Sequence, residues 1–154
     1  MNSIRFHLSV FLLLLLLSGI TAFPLQTEIR FLYEHRELFP LALSEWISRL
    51  HTILFNTSSV ILYGTDWLAF AHIVIALFFI PVYLDPVKYR LNLKIGMLAC
   101  LLIFPLALVC GYIRNIPFFH QLIDCSFGAI GFVYLLFISS KINQIQNKHE
   151  HLPA

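Results

Sequence analysis

The chain has 154 residues, 59% of them hydrophobic and 12% charged, with a formal net charge of +2. Soluble domains carry about twice that charge fraction, so an ordinary soluble domain is excluded, and the length allows one bundle rather than two domains. The ten basic residues are scattered and form no patch, so no nucleic-acid partner is expected. Fifteen Phe point the same way, because Phe is cheap in hydrocarbon and Lys or Glu is not.

Residues 1–23 open with Arg5 and then run almost unbroken through apolar sequence, including six consecutive leucines. This pattern fits two readings: a signal sequence cleaved after Ala22, or a retained first transmembrane helix at the short end of the spanning range. Residues 24–66 are the most polar part, read as an outward-facing region. Within it, Leu43, Trp46, Ile47, Leu50, Ile53 and Leu54 recur at helical spacing with polar residues between them, which predicts an amphipathic helix over 41–55. Pro40 separates it from a weaker helical stretch around Thr27–Leu38. Asn56-Thr57-Ser58 matches a glycosylation acceptor, relevant only in a eukaryotic secretory setting.

Residues 67–140 form the expected membrane core. Its first span is Trp67–Leu84, after a Gly64-Thr65-Asp66 turn in which Asp66 caps the helix, and before Asp85-Pro86. The second is Ile95–Ile113, kinked at Pro105. The third is Phe118–Ile138, and 141–154 reads as a polar, fraying tail. The fold expected is an all-α membrane bundle of four transmembrane helices, or three after signal cleavage, with an outer amphipathic helix. Loop 85–94 holds Lys88, Arg90 and Lys94, and the tail holds Lys141 and Lys148, whereas loop 114–117 holds only Arg114. The positive-inside rule therefore places loop 85–94 and the C-terminus on the cytoplasmic side of a multi-pass membrane protein.

That orientation groups Asp66, His72, Arg114, His120 and Asp124 toward the outer leaflet. Ionisable residues inside apolar runs are costly and normally face a protein interior or a wet pocket. With helix starts near 66 and 118, His72 and Asp124 lie at similar depth, about 9–10 Å at 1.5 Å per residue. A neutral His can shuttle a proton while a carboxylate orients it, and Arg114 can contact an anion. Small residues mark the faces that approach a partner helix: Gly96, Cys100, Ala107 and Gly111; Gly128 and Gly131 beside Asp124; Ala69 and Ala76 beside His72. The same residues serve equally as structural glue, with Asp66 a cap, His72 an interhelical hydrogen bond, and Arg114 and His120 snorkelling.

No Gly-rich phosphate loop, HExxH or GxSxG occurs, and no cofactor or metal is expected. Cys100, Cys110 and Cys125 follow no zinc spacing and read as buried packing thiols, with a Cys110–Cys125 disulfide the alternative.

The segments YGTDWLAFAHIVIA, DPV and IRNIPFFHQLIDCSFG resemble an uncharacterised family of small multi-pass membrane proteins from bacteria, especially Bacteroidetes. That resemblance implies a bacterial inner-membrane setting and no particular activity. Asp66 and His72, with Arg114, Asp124, Gly128 and Gly131, also resemble motifs of the VanZ-like family. The Asp-to-His spacing is longer here, no Lys follows Asp66 and no Asn follows Asp124, so this second likeness implies architecture alone.

The leading expectation is an accessory membrane protein whose outer polar cluster binds a lipid, a small ligand or a partner subunit. The runner-up is a membrane enzyme or proton-coupled carrier using His72 and Asp124, and a third reading is purely structural. Beyond the lipid bilayer, a membrane-protein partner or a homo-oligomer is the expected association.

Overall fold

The computed structural model describes residues 2–150, with side chains described for residues 3–144. The chain is all-α, with no strand among the described residues. In order come α1 (Asn2–Ala22), α2 (Leu25–Glu34), a 3-10 turn (Arg36–Leu38), α3 (Leu41–Phe55), α4 (Ser59–Leu84), α5 (Arg90–Ile113) and α6 (Phe118–Glu150). Four of them, α1, α4, α5 and α6, are long and apolar enough to cross a membrane. Their flanks carry many exposed Leu, Ile and Phe side chains, which is tolerable where the surrounding solvent is lipid. The chain divides into two compact units, residues 1–11 with 78–154, and residues 12–77.

Unit one is built on α5 against α6, with the first half of α1 and the end of α4. Its core is Ile4, Leu8, Phe79, Val82, Leu93, Leu135, Ile138 and Ile142. The helices approach closely because glycines line the seam. A Cβ on Gly128 would lie 2.7 Å from the Cys100 carbonyl oxygen, and one on Gly131 would lie 2.9 Å from Cys100 Sγ. Gly96 makes room for the Phe79 ring and Leu135. The small-residue faces of α5 and α6 therefore do pack against each other.

Unit two holds the rest of α1, the α2–α3 hairpin and most of α4. Gly19 of α1 lets the Ala69–Ile73 turn of α4 approach, since a Cβ there would meet Ala69 O at 2.9 Å. The hairpin buries Ile29, Trp46 and Ile47. An aromatic ladder ties it: the Tyr33 ring stacks on His51 at 4.1 Å and His51 on Phe55 at 4.4 Å. Arg30 lies 5.1 Å over Phe55 and Arg36 lies 4.3 Å over Tyr33, positions that favour a guanidinium through the ring quadrupole. Asn56 caps α3, its amide Nδ2 donating to Thr52 O at 2.8 Å.

Three expectations change. First, α4 starts at Ser59, not Trp67, so Asp66 lies two turns inside a helix and caps nothing. Val60, Ile61 and Leu62 extend the apolar run, the Ser58 carbonyl accepts from Ile61 N–H at 3.0 Å, and Thr65 Oγ1 donates to Leu62 O at 2.6 Å. Second, α6 continues to Glu150 rather than stopping near Ile138. No Gly or Pro interrupts residues 139–150, and Ile138 and Ile142, one turn apart, are both fully buried. Residues 151–154 of the expected tail lie outside the described residues. Third, Cys110 is exposed rather than buried; all three cysteines are free and only Cys125 is buried.

Pro105 distorts α5 as expected, and the distortion has a specific form. The helix passes into a π turn over Leu106–Cys110 and resumes as α over Gly111–Ile113. Proline lacks the N–H for the regular bond to the carbonyl four residues back, and the wider turn follows it directly. The helix then ends in a Schellman motif: Ile116 N–H donates to Gly111 O at 2.9 Å and Asn115 N–H to Tyr112 O at 3.2 Å. Asn115 takes the left-handed position at φ 54°. Asn115→Ala should therefore destabilise the folded protein by about 1 kcal/mol, because a plain Cβ is disfavoured in that region. Asn115→Gly should at least match the native residue, and thermal unfolding of the two variants side by side checks the pair.

Candidate functional site

The corner between α5 and α6 carries the chemistry. Pro117 ends the Schellman turn and starts α6, its carbonyl accepting from His120 N–H at 2.9 Å. Gly111 leaves space for Gln121, a buried polar side chain; a Cβ at 111 would sit 2.5 Å from Gln121 Cδ. Gln121 Nε2 donates to Ile116 O at 2.7 Å, so the turn is braced from below by a satisfied amide.

On one side of this brace lies a groove of about 370 Å³ lined by Arg114, His120 and Asp124, with Cys110, Leu106 and Ala107 from the π turn. Arg114 is exposed at the mouth, while His120 and Asp124 are half-buried. Asp124 is six residues into α6, about 9 Å along the axis at 1.5 Å per residue. A guanidinium, an imidazole and a carboxylate in one groove can bind an anion and a hydrogen-bond donor together. On the other side lies a wider, apolar groove of about 930 Å³ along Leu108, Val109, Tyr112, Ile113 and Phe118. The two share Gly111 and Ile116.

Three of the five expected site residues thus come together: Arg114, His120 and Asp124. The other two belong to unit two. Asp66 is half-buried inside α4. His72 Nδ1 lies 3.0 Å from Leu68 O; a carbonyl only accepts, so that nitrogen carries the proton. With α4 starting at Ser59, His72 is 13 residues into a 26-residue helix, about 20 Å along its axis, so the equal-depth argument that paired it with Asp124 loses its basis.

Sequence reasoning missed a second polar assembly, at the other end of unit one. Tyr134 Oη lies 3.1 Å from His7 Nδ1 and 3.3 Å from the His7 carbonyl, to which it donates. Lys141 Nζ lies 3.1 Å from Ser3 Oγ and 3.2 Å from His7 Nε2. An ammonium has no lone pair, so His7 accepts at Nε2 and donates from Nδ1 to Tyr134. The only signal in the sequence is that Tyr134 and Lys141, two turns apart, share a face of α6.

Among the described residues, no group of three or more His, Cys, Asp or Glu is placed to hold a metal ion. Compared with family models, with curated proteins and with solved structures, the chain matches none.

Proposed function

We propose that this is a small multi-pass membrane protein that binds the polar headgroup of a lipid or similar amphiphile in the groove between α5 and α6. The observation that carries the reading is the convergence of Arg114, His120 and Asp124 on one groove beside an apolar one. A cation and a carboxylate together suit a zwitterionic headgroup: the guanidinium takes the phosphate and the carboxylate takes the amine. The apolar groove takes an acyl chain.

The setting we propose is a bacterial inner membrane with the C-terminus in the cytoplasm. Support comes from Lys88 in the short α4–α5 connection with Arg90 and Lys94 at the start of α5, and from the family resemblance noted above. The groove then faces the outer leaflet.

The probe is phosphatidylethanolamine, followed by native mass spectrometry of the full chain in mild detergent. Wild type should retain the lipid, and Arg114→Gln and Asp124→Asn should each reduce the retained fraction about tenfold, the loss expected for one charge-assisted hydrogen bond. Unchanged retention by both variants refutes the reading. A collapse of melting in both would instead assign the cluster to holding α5 and α6 together.

A further inference from the structure

Unit one gathers basic side chains at the end opposite the groove. Arg5 Nη2 donates to Leu84 O at 3.4 Å, which brings the first turns of α1 to the end of α4. Lys141 reaches Ser3 and His7, which brings α6 to the same place. Arg90, the first residue of α5, donates to Asn143 Oδ1 at 2.6 Å. Lys88 in the preceding turn and Lys94, the fifth residue of α5, are both exposed. Residues 1–11, 78–94 and 139–144 thus contribute five basic residues and one carboxylate, Asp85. Asp85 Oδ1 accepts the backbone N–H of Lys88 at 3.0 Å, so it serves the turn.

The partners that hold Arg5 and Lys141 are neutral: a carbonyl, a hydroxyl and an imidazole. Lys88 and Lys141 lie over the Tyr89 and Phe137 rings, at 5.4 and 4.6 Å. Such contacts lay a long stem on apolar surface and leave the ammonium at its edge. Directly beside these charges, Phe6, Leu84, Leu91 and Ile95 are exposed. Cations above exposed apolar flanks match a phosphate above acyl chains.

We propose that this end of the protein is a binding surface for the headgroups of anionic phospholipids, with Arg5, Lys88 and Lys94 as the principal contacts. The apolar flanks select a lipid over a soluble phosphate. The surface is separate from the α5–α6 groove and does not depend on it.

The test presents the purified full chain with equal amounts of phosphatidylglycerol and phosphatidylcholine of identical acyl chains and counts retained adducts by native mass spectrometry. Phosphatidylglycerol should be preferred roughly fivefold or more, as expected for one or more basic residues near a headgroup phosphate. Arg5→Gln/Lys88→Gln/Lys94→Gln should bring the ratio close to one. If that variant fails to fold, Lys88→Gln/Lys94→Gln, which alters only exposed side chains, should still at least halve the preference. Parity in the wild type, or a preference that survives the double variant, overturns the proposal. So does displacement of the bound lipid by millimolar inorganic phosphate.

Discussion

Gly128→Leu should leave almost no stably folded protein, whereas Gly64→Ala should be neutral or stabilising. Both glycines lie inside transmembrane helices, so helix propensity alone would favour either substitution by up to about 1 kcal/mol. Their surroundings decide otherwise. Nothing lies within 4 Å of a Cβ built on Gly64. At Gly128 the same atom meets the Cys100 carbonyl at 2.7 Å, Ile103 Cβ at 3.2 Å and the Phe104 ring at 3.3 Å. A backbone carbonyl in a helix cannot rotate aside, so α5 and α6 must separate along their seam. Overpacking of a rigid contact costs about 1–3 kcal/mol for a few methylenes, and the four carbons of a leucine side chain against backbone should reach the top of that range or exceed it. Detergent-phase unfolding of the two variants measures the difference. Wild-type melting of Gly128→Leu would mean that the two helices do not meet at this glycine.

The second large effect concerns α1. Leu8 is 0% exposed and Ile4 is 3% exposed, both in the core of unit one. Phe11 lies edge-on to Phe79 at 5.0 Å and near-parallel to Tyr134 at 6.3 Å. Leu8→Asp should destabilise by about 4 kcal/mol, the sum of lost apolar burial and an acid placed where no partner awaits it. Cleavage after Ala22 would remove all three apolar contacts and leave Tyr134 and Lys141 without the groups they bond. We therefore expect the protein isolated from membranes to carry residues 1–22, as its intact mass will report. A chain that lacks them and still melts cooperatively near the wild-type temperature would show that α1 is dispensable.

How much of this was legible follows from where each signal resides. The amphipathic α3 came out with its bounds intact, because a proline precedes it and its apolar residues recur every third or fourth position. The start of α4 did not, because Gly64-Thr65-Asp66 has turn composition and only the surrounding apolar context keeps it helical. Pro105 announced a kink, but whether a proline yields a bend or a wider turn depends on neighbouring packing, not on the residue itself. Arg114, His120 and Asp124 stood out because charge inside an apolar run is conspicuous. Gln121 at the same corner is neutral and did not. The His7, Tyr134 and Lys141 assembly was hidden for another reason: His7 is 127 and 134 residues from the other two, and no local period links it to the face they share.

That separation also bears on how the protein is made. Lys141 binds Ser3 across 138 residues, so the α6 partners of the first helix are the last to leave the ribosome. At about 5–20 residues per second, α1 waits roughly ten seconds in the membrane with its His7 imidazole uncovered. During that interval it needs a temporary host, either lipid or the insertion machinery, and it is exposed to any peptidase that recognises a short leucine-rich helix. The arrival of α6 ends the vulnerability. Slowing translation between α5 and α6 should lengthen it, and chains arrested before residue 134 should be those that lose their first helix.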